Sequence, residues 1–351
     1  MRRGLIALIS GAAALLAGAA HAVSPGKIIA FKDWAVGCDN GLGCQAASLM
    51  AEERSDDSLS IVMNRPAGAN APLDIDLYGF TAKADRYRVV IDGKIVRTGT
   101  MKVGSTSVKV VGVDAVKLAR FMAKGKALRI VDGAGADLGA VSLSGAAAAL
   151  RYFDEQQGRA GSRGAVIATG PKMPMAKRAV LPIISAKKIT PTNILPDTSA
   201  LIALSENSPC ATRRFGSTED TAYSLGMGQN GPQALVFLNC GSGAYNFSSG
   251  VYIGQRNGAG KWTFEPAKFD YAAPGSAEDS NIPVLVNAYW NAGTQTISSY
   301  AKGRGLGDCG SSETYVWDGS MFRLTRATAM TECRGSLDWI PTWRAEVRLA
   351  D

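Results

Sequence analysis

Six cysteines, Cys38, Cys44, Cys210, Cys240, Cys309 and Cys333, constrain this 351-residue chain more than any other feature. They fall in three sequential pairs separated by long cysteine-free stretches, and an even number in an exported chain implies disulfides. Local pairing, Cys38–Cys44, Cys210–Cys240 and Cys309–Cys333, is the simplest arrangement, and it makes each bridge a staple within one small unit. A metal site is the rival reading. No CxxC spacing occurs, so no metal is expected.

Export is read from the first residues. Arg2 and Arg3 precede an apolar run that closes on Ala20-His21-Ala22, a small-x-small cleavage pattern, so residues 1–22 read as a signal peptide and the mature chain starts at Val23. No later apolar stretch approaches a membrane span, which predicts a periplasmic or secreted protein without a transmembrane segment. His21 is the only histidine. Its loss with the leader excludes Ser-His-Asp and Cys-His catalysis and His-ligated zinc or copper.

Charge is informative through its position. Without Arg2 and Arg3, 36 basic residues face 30 acidic ones, a net charge of +6. Between 160 and 196 lie Arg163, Lys172, Lys177, Arg178, Lys187 and Lys188 and no acidic residue, so this stretch accounts for the whole excess. Prolines at 171, 174, 182, 191 and 196 interrupt regular structure there. The segment 161–196 therefore reads as a basic, Pro-rich, solvated linker rather than a nucleic-acid interface, which would carry its charge on one face of a folded domain.

The linker separates two regions, 23–160 and 197–351. In the first, Lys27–Cys38 reads as a strand with Trp34, Val36 and Cys38 on one face, followed by Cys44–Ala51, Ser58–Arg65 and Leu73–Phe80. Asp92-Gly93 marks a tight hairpin between Tyr87–Ile91 and Lys94–Thr98. Two helices follow, with Asp114 and Ser144 as expected N-caps and Gly125 and Gly158 as stops. In the second helix Leu150 and Phe153 form the apolar face, and Arg151, Asp154 and Glu155 the wet one. A short helix at Thr198–Leu204 opens the second region, where strands recur with Gly, Asn and Ser between them. Asp318-Gly319 predicts another two-residue type I′ hairpin, which would set Tyr315 against Phe322 and Trp317 against Ser320. The fold expected is mainly β with two or three short helices (α+β): two disulfide-stapled antiparallel β domains, each a sandwich or an open barrel.

The segments FKDWAVGCDNGLGC, GAAAALRYFDEQQGR and GRGLGDCG…YVWDG…F…ECRG…DWIPTWRA together resemble a bacterial exported family known as domain of unknown function 1176. The resemblance spans essentially the whole mature chain. The first domain is also similar, more loosely, to the invasion-associated locus B proteins, exported β-rich modules, in its Trp34…Cys38 opening and its SLSGAAAAL segment. The resemblance implies fold and compartment and lends no activity.

Candidate chemistry concentrates near the C-terminus. The run Gly303 to Gly310 resembles a phosphate-cradling loop, but it leads into a β-hairpin rather than a helix, so it reads as a disulfide-anchored turn. Glu313, Glu332 and Asp338 with Trp339 and Trp343 would suit a carboxylate-dependent glycan hydrolase. The reading preferred is non-catalytic, binding or structural: Arg304, Trp339 and Trp343, held by a Cys309–Cys333 bridge, form the expected binding surface for an envelope protein or a glycan, with no cofactor.

Overall fold

Period-two alternation in the N-terminal region builds two antiparallel sheets. The computed structural model describes residues 23–51, 59–174, 177, 179–213, 219–272 and 282–350; the expected signal peptide lies outside them. The first sheet has six strands in the order β1 (Ile28–Phe31), β2 (Trp34–Cys38), β3 (Cys44–Ser48), β4 (Ser60–Arg65), β5 (Asp74–Tyr78) and β8 (Ser107–Val111). The second has the order β10 (Asp137–Ser142), β9 (Ala127–Asp132), β6 (Arg86–Ile91) and β7 (Lys94–Thr100). Helices α1 (Gly112–Met122) and α2 (Ala146–Gln156) add Leu118, Met122, Leu150 and Phe153 to one core shared with Trp34, Val36, Ile61, Ile75, Val89 and Ile130. Each such aliphatic or aromatic side chain contributes roughly 1.5–3 kcal/mol by leaving water.

Several local expectations are corrected here. Lys27–Cys38 is not one strand but a hairpin, because Lys32 takes φ 52° and Phe31 pairs with Trp34. Asp114 does not cap α1, whose N-cap is Val111; its carboxylate instead meets Arg97 Nη1 at 2.9 Å. Ser144 does not cap α2 either. Gly145 occupies that position at φ 100°, and a Cβ there would lie 1.7 Å from the Phe31 carbonyl oxygen, so no other residue fits. Asp154 is not on a wet face: it is 0% exposed, and its carboxylate accepts from the backbone N–H groups of Val166, Ile167 and Ala168. By contrast, Asp92 and Gly93 take φ 48° and 80° with Ile91 opposite Lys94, as the Asp-Gly turn requires.

The C-terminal region is a sandwich with no closed barrel. One sheet runs β12 (Thr221–Gly228), β13 (Gly231–Ser242), β14 (Phe247–Arg256), β15 (Trp262–Pro266), with β16 (Val284–Val286) also on β14; the other runs β17 (Tyr289–Asn291), β18 (Thr296–Lys302), β19 (Gly310–Trp317), β20 (Phe322–Met330), β21 (Ile340–Arg344). Leu225, Leu235, Phe237 and Val251 of the first interdigitate with Ile297, Tyr315, Leu324 and Trp343 of the second. Helix α3 (Thr198–Glu206) leads in, its first turn capped by the Asp197 carboxylate accepting from Ala200 N–H. All three expected disulfides are present, with Cα–Cα distances of 4.0, 4.5 and 4.7 Å.

The β19–β20 hairpin departs from the two-residue turn. Trp317 pairs with Phe322 and Tyr315 with Leu324, leaving a four-residue connection in which only Gly319 has positive φ. Asp318 is the cause: its carboxylate accepts from the N–H groups of Ser320 and Met321, each at 2.8 Å, an Asx-type closure that replaces the tight turn.

The described residues of 161–196 are packed in part, while the basic side chains of Arg163, Lys172, Lys177 and Lys188 stay exposed. The segment supplies β11 (Ile183–Lys187), paired in parallel with β22 (Glu346–Ala350), and buries Ala165, Val166, Ala186 and Ile189. The two regions also meet directly. Ala35, Ala47, Leu49 and Val62 on the outer face of the six-stranded sheet pack on Cys309, Met330 and Ile340. The small residues of β2 and β3 allow that close approach, and Arg334 ties the seam by donating to Asp33 at 2.6 Å and to the Met50 carbonyl.

Candidate functional site

A groove of about 760 Å³ opens where β11 crosses the edge of the C-terminal sandwich. Leu181, Ile183 and Ile184 form one apolar wall; Leu324 and the indole of Trp343 form the other. Trp343 is held from within, 7% exposed, its Nε1–H donating to the Leu324 carbonyl at 3.1 Å. The polar end consists of Asp270, Asp318 and Arg323.

Backbone pairing positions these three groups. Phe322 N–H donates to the Lys268 carbonyl and Asp270 N–H to the Phe322 carbonyl, so residues 268–270 run beside the start of β20. Phe269 anchors that segment by packing on Tyr315 and Phe322, with ring centroids at 4.9 and 5.1 Å. Asp270 Oδ1 then accepts from Leu324 N–H at 2.8 Å. Arg323 reaches Asp318 at 2.6 Å and Asp270 only at 3.9 Å.

The two carboxyls accordingly differ. Burial raises Asp270 above the usual carboxylate range, only partly offset by the Leu324 N–H and the distant Arg323. Burial would also raise Asp318, but the bonds from Arg323, Met321 N–H and Ser320 outweigh it and hold that carboxyl below its ordinary value. Two carboxylates share one guanidinium, so the polar end has an unmatched negative charge when both are ionised. The groove thus offers an apolar slot terminating in a half-desolvated carboxylate, which suits a ligand with an apolar body and a cationic group.

The residues selected from sequence lie in two places. Trp343 lines this groove. Arg304 and Trp339 instead flank the Cys309–Cys333 bridge: Gly303 approaches Cys309 Sγ, and Gly310 approaches the Trp339 ring. Arg304, its side chain 44% exposed, is engaged by Asp308 through Nε at 2.7 Å and through Nη2. Asp308 is 1% exposed; the Arg304 bond holds its carboxyl down at about 2. Trp339 stacks on Tyr300 at 4.7 Å between centroids. The Gly303–Gly310 run is a turn closed by Gly303 N–H on the Cys309 carbonyl, and Arg304 there answers an internal carboxylate.

The three carboxylates selected for hydrolysis do not share this groove. Glu313 points into the inter-sheet core, 2% exposed, where burial raises it to about 7 with Ser311 as its polar neighbour. Asp338 lies at the seam, where burial and then the Asp76 carboxylate raise it to about 6. Neither carboxyl acts on the other, and Glu332 sits half-buried beside Cys333. Among the described residues no group of three or more His, Cys, Asp or Glu is placed to hold a metal, and no helix is long and apolar enough to cross a membrane.

Sequence reasoning missed Asp270, Arg323 and the β11 wall. A signal for one pair was present, since Asp318 and Arg323 face each other across a hairpin end. None existed for Asp270, which arrives from a separate segment.

Comparison with known proteins gives three findings. A family model described as "Protein of unknown function (DUF1176)" matches residues 29–346. "Uncharacterized protein YpfG" of Escherichia coli (strain K12) is 27% identical over 333 residues, covering 90% of this chain and 92% of that protein. The crystal structure of invasion associated protein b from Bartonella henselae aligns over 38% of this chain and 99% of its own, at 16% identity with a TM-score of 0.29, a likeness too low to support a conclusion.

Proposed function

The chain belongs to the protein family of unknown function DUF1176, and on that premise we propose that it is a non-catalytic binding protein of the periplasm or cell exterior. Its ligand is an extended apolar segment of an envelope protein carrying a basic side chain, laid along β11. Three disulfides and no free cysteine among the described residues support a compartment more oxidising than the cytoplasm. The observation that carries the ligand class is the groove itself: aliphatic walls and Trp343 lead to Asp270, whose carboxylate has only a distant cation at 3.9 Å. A peptide fits this better than a glycan, which needs polar partners along its whole length.

The test uses fluorescein-labelled peptides alternating leucine with lysine, and the matching leucine–glutamate peptides, in fluorescence polarisation with the mature protein. The lysine peptide should bind more tightly, and Asp270→Asn should weaken it by about tenfold, the equivalent of about 1.4 kcal/mol for one partly buried charge pair. Equal binding of both peptides, or an Asp270→Asn variant that binds as wild type does, would refute the proposal.

A further inference from the structure

Arg120, Lys124, Arg151 and Arg163 converge on a second cavity, of about 770 Å³, in the N-terminal region. It opens between the C-terminal end of α1, the exposed side of α2 and the loop 163–170, and shares no lining residue with the groove above. No acidic residue lines it, and none of the four cations forms an ion pair among the described residues. Four like charges around one cavity repel each other, and a ligand that supplies negative charge relieves that repulsion.

The cavity wall is pre-formed. Asp154, fully buried, accepts from the N–H groups of Val166, Ile167 and Ala168 at 2.8, 3.0 and 2.9 Å. Arg65 Nη2 donates to the Gly164 carbonyl at 2.9 Å, and Arg120 Nε to the Val166 carbonyl at 2.9 Å. Arg120 thereby uses one nitrogen to hold the loop and keeps its two terminal amino groups for the cavity. A wall locked this way loses little further conformational freedom when a ligand enters. The N-terminus of α2 adds to the field: Gly145 offers no side-chain cap, the first turn contains no acid, and Ala147 lines the cavity.

We propose that this cavity is a phosphate-binding site, with the forked guanidiniums of Arg120, Arg151 and Arg163 and the Lys124 ammonium around one phosphate group. Three arginines favour phosphate over a carboxylate because a tetrahedral dianion can accept from several forks at once, whereas a carboxylate is satisfied by one. The volume admits a phosphate carried on a sugar-sized body, and two sources share that chemistry: a soluble sugar phosphate and a phosphorylated lipid headgroup.

The experiment titrates the full mature protein with glucose 1-phosphate and with glucose by calorimetry at low salt, and measures co-sedimentation with phosphatidic acid–phosphatidylcholine vesicles, whose monoester phosphate shares that chemistry, against phosphatidylcholine alone. Binding of glucose 1-phosphate without glucose assigns the soluble source; selective sedimentation with phosphatidic acid alone assigns the headgroup; either supports the site. Lys124→Ala with Arg151→Ala, both exposed and unpaired, should keep the melting temperature and weaken whichever binding is seen by at least about tenfold. Ala147→Asp leaves every cation in place and should also abolish binding, because its own carboxylate occupies the cavity, while the acid in the first turn raises the melting temperature. Absence of binding in both arms, or variants that bind like wild type, overturns the assignment. None of these variants touches the β11 groove, so the leucine–lysine peptide should bind them unchanged.

Discussion

Replacing Glu313 by glutamine should stabilise the protein at neutral and alkaline pH and leave it nearly unchanged in acid. Glu313 projects from the middle of β19 into the inter-sheet core, level with Ser299 on β18 and Ala327 on β20, and its Oε2 has no hydrogen-bond partner among the described residues. Burial moves its pKa from an ordinary 4.5 to about 7. The folded state therefore holds a proton that the unfolded chain releases. Its contribution is fully favourable below the unfolded pKa and is lost as pH rises through about 7. Each pH step of displacement is worth about 1.4 kcal/mol, so by about pH 8 the wild type has lost on the order of 3 kcal/mol that Glu313→Gln keeps. Urea unfolding of both proteins across this range gives the measurement, and Asp338, which titrates in the same direction near 6, cancels because both carry it. A stability difference that stays constant with pH, or a glutamine variant less stable than wild type at the alkaline end, would show that the carboxyl is solvated and the reasoning wrong.

Four further outcomes follow from other parts of the fold. The double substitution Cys309→Ser with Cys333→Ser opens a bridge of sequence separation 24 and should lower the melting temperature, with a loss of about 3 kcal/mol drawn chiefly from the unfolded chain. Alkylation of the denatured, non-reduced wild type should add no label, as mass spectrometry will show. Asp154→Ala removes the acceptor for three buried N–H groups and leaves Arg65 uncompensated; a loss of about 3–5 kcal/mol is expected, with faster hydrogen exchange at Val166, Ile167 and Ala168. Arg334→Ala cuts the bonds from Arg334 to Asp33 and Met50 and should destabilise by about 1–3 kcal/mol in denaturant titration, with increased exchange along β2 and β21.

The features legible in the sequence are those whose cause is local. Cys38–Cys44, Cys210–Cys240 and Cys309–Cys333 pair within short loops, Asp92-Gly93 needs only its own two dihedrals, and the alternation of Leu73, Ile75 and Leu77 with Asp74 and Asp76 reports one buried face whatever covers it. The arginine cavity was half legible: the basic run containing Arg163 stood out, but its meeting with Arg120, Lys124 and Arg151 did not. What tertiary structure alone decided depends on groups that arrive from far along the chain. Asp154 looks wet on a helical wheel and is buried because a later loop brings three N–H donors to it. Asp318 forms a looser turn because its carboxylate finds closer donors than the type I′ geometry would allow. Asp270, Arg323, Trp343 and Ile183 share no sequence pattern, and only the crossing of β11 over the sandwich edge makes them one groove. A hydrogen bond or a cavity wall requires two partners at contact distance, and sequence spacing reports that distance only while both partners belong to the same turn, helix or hairpin.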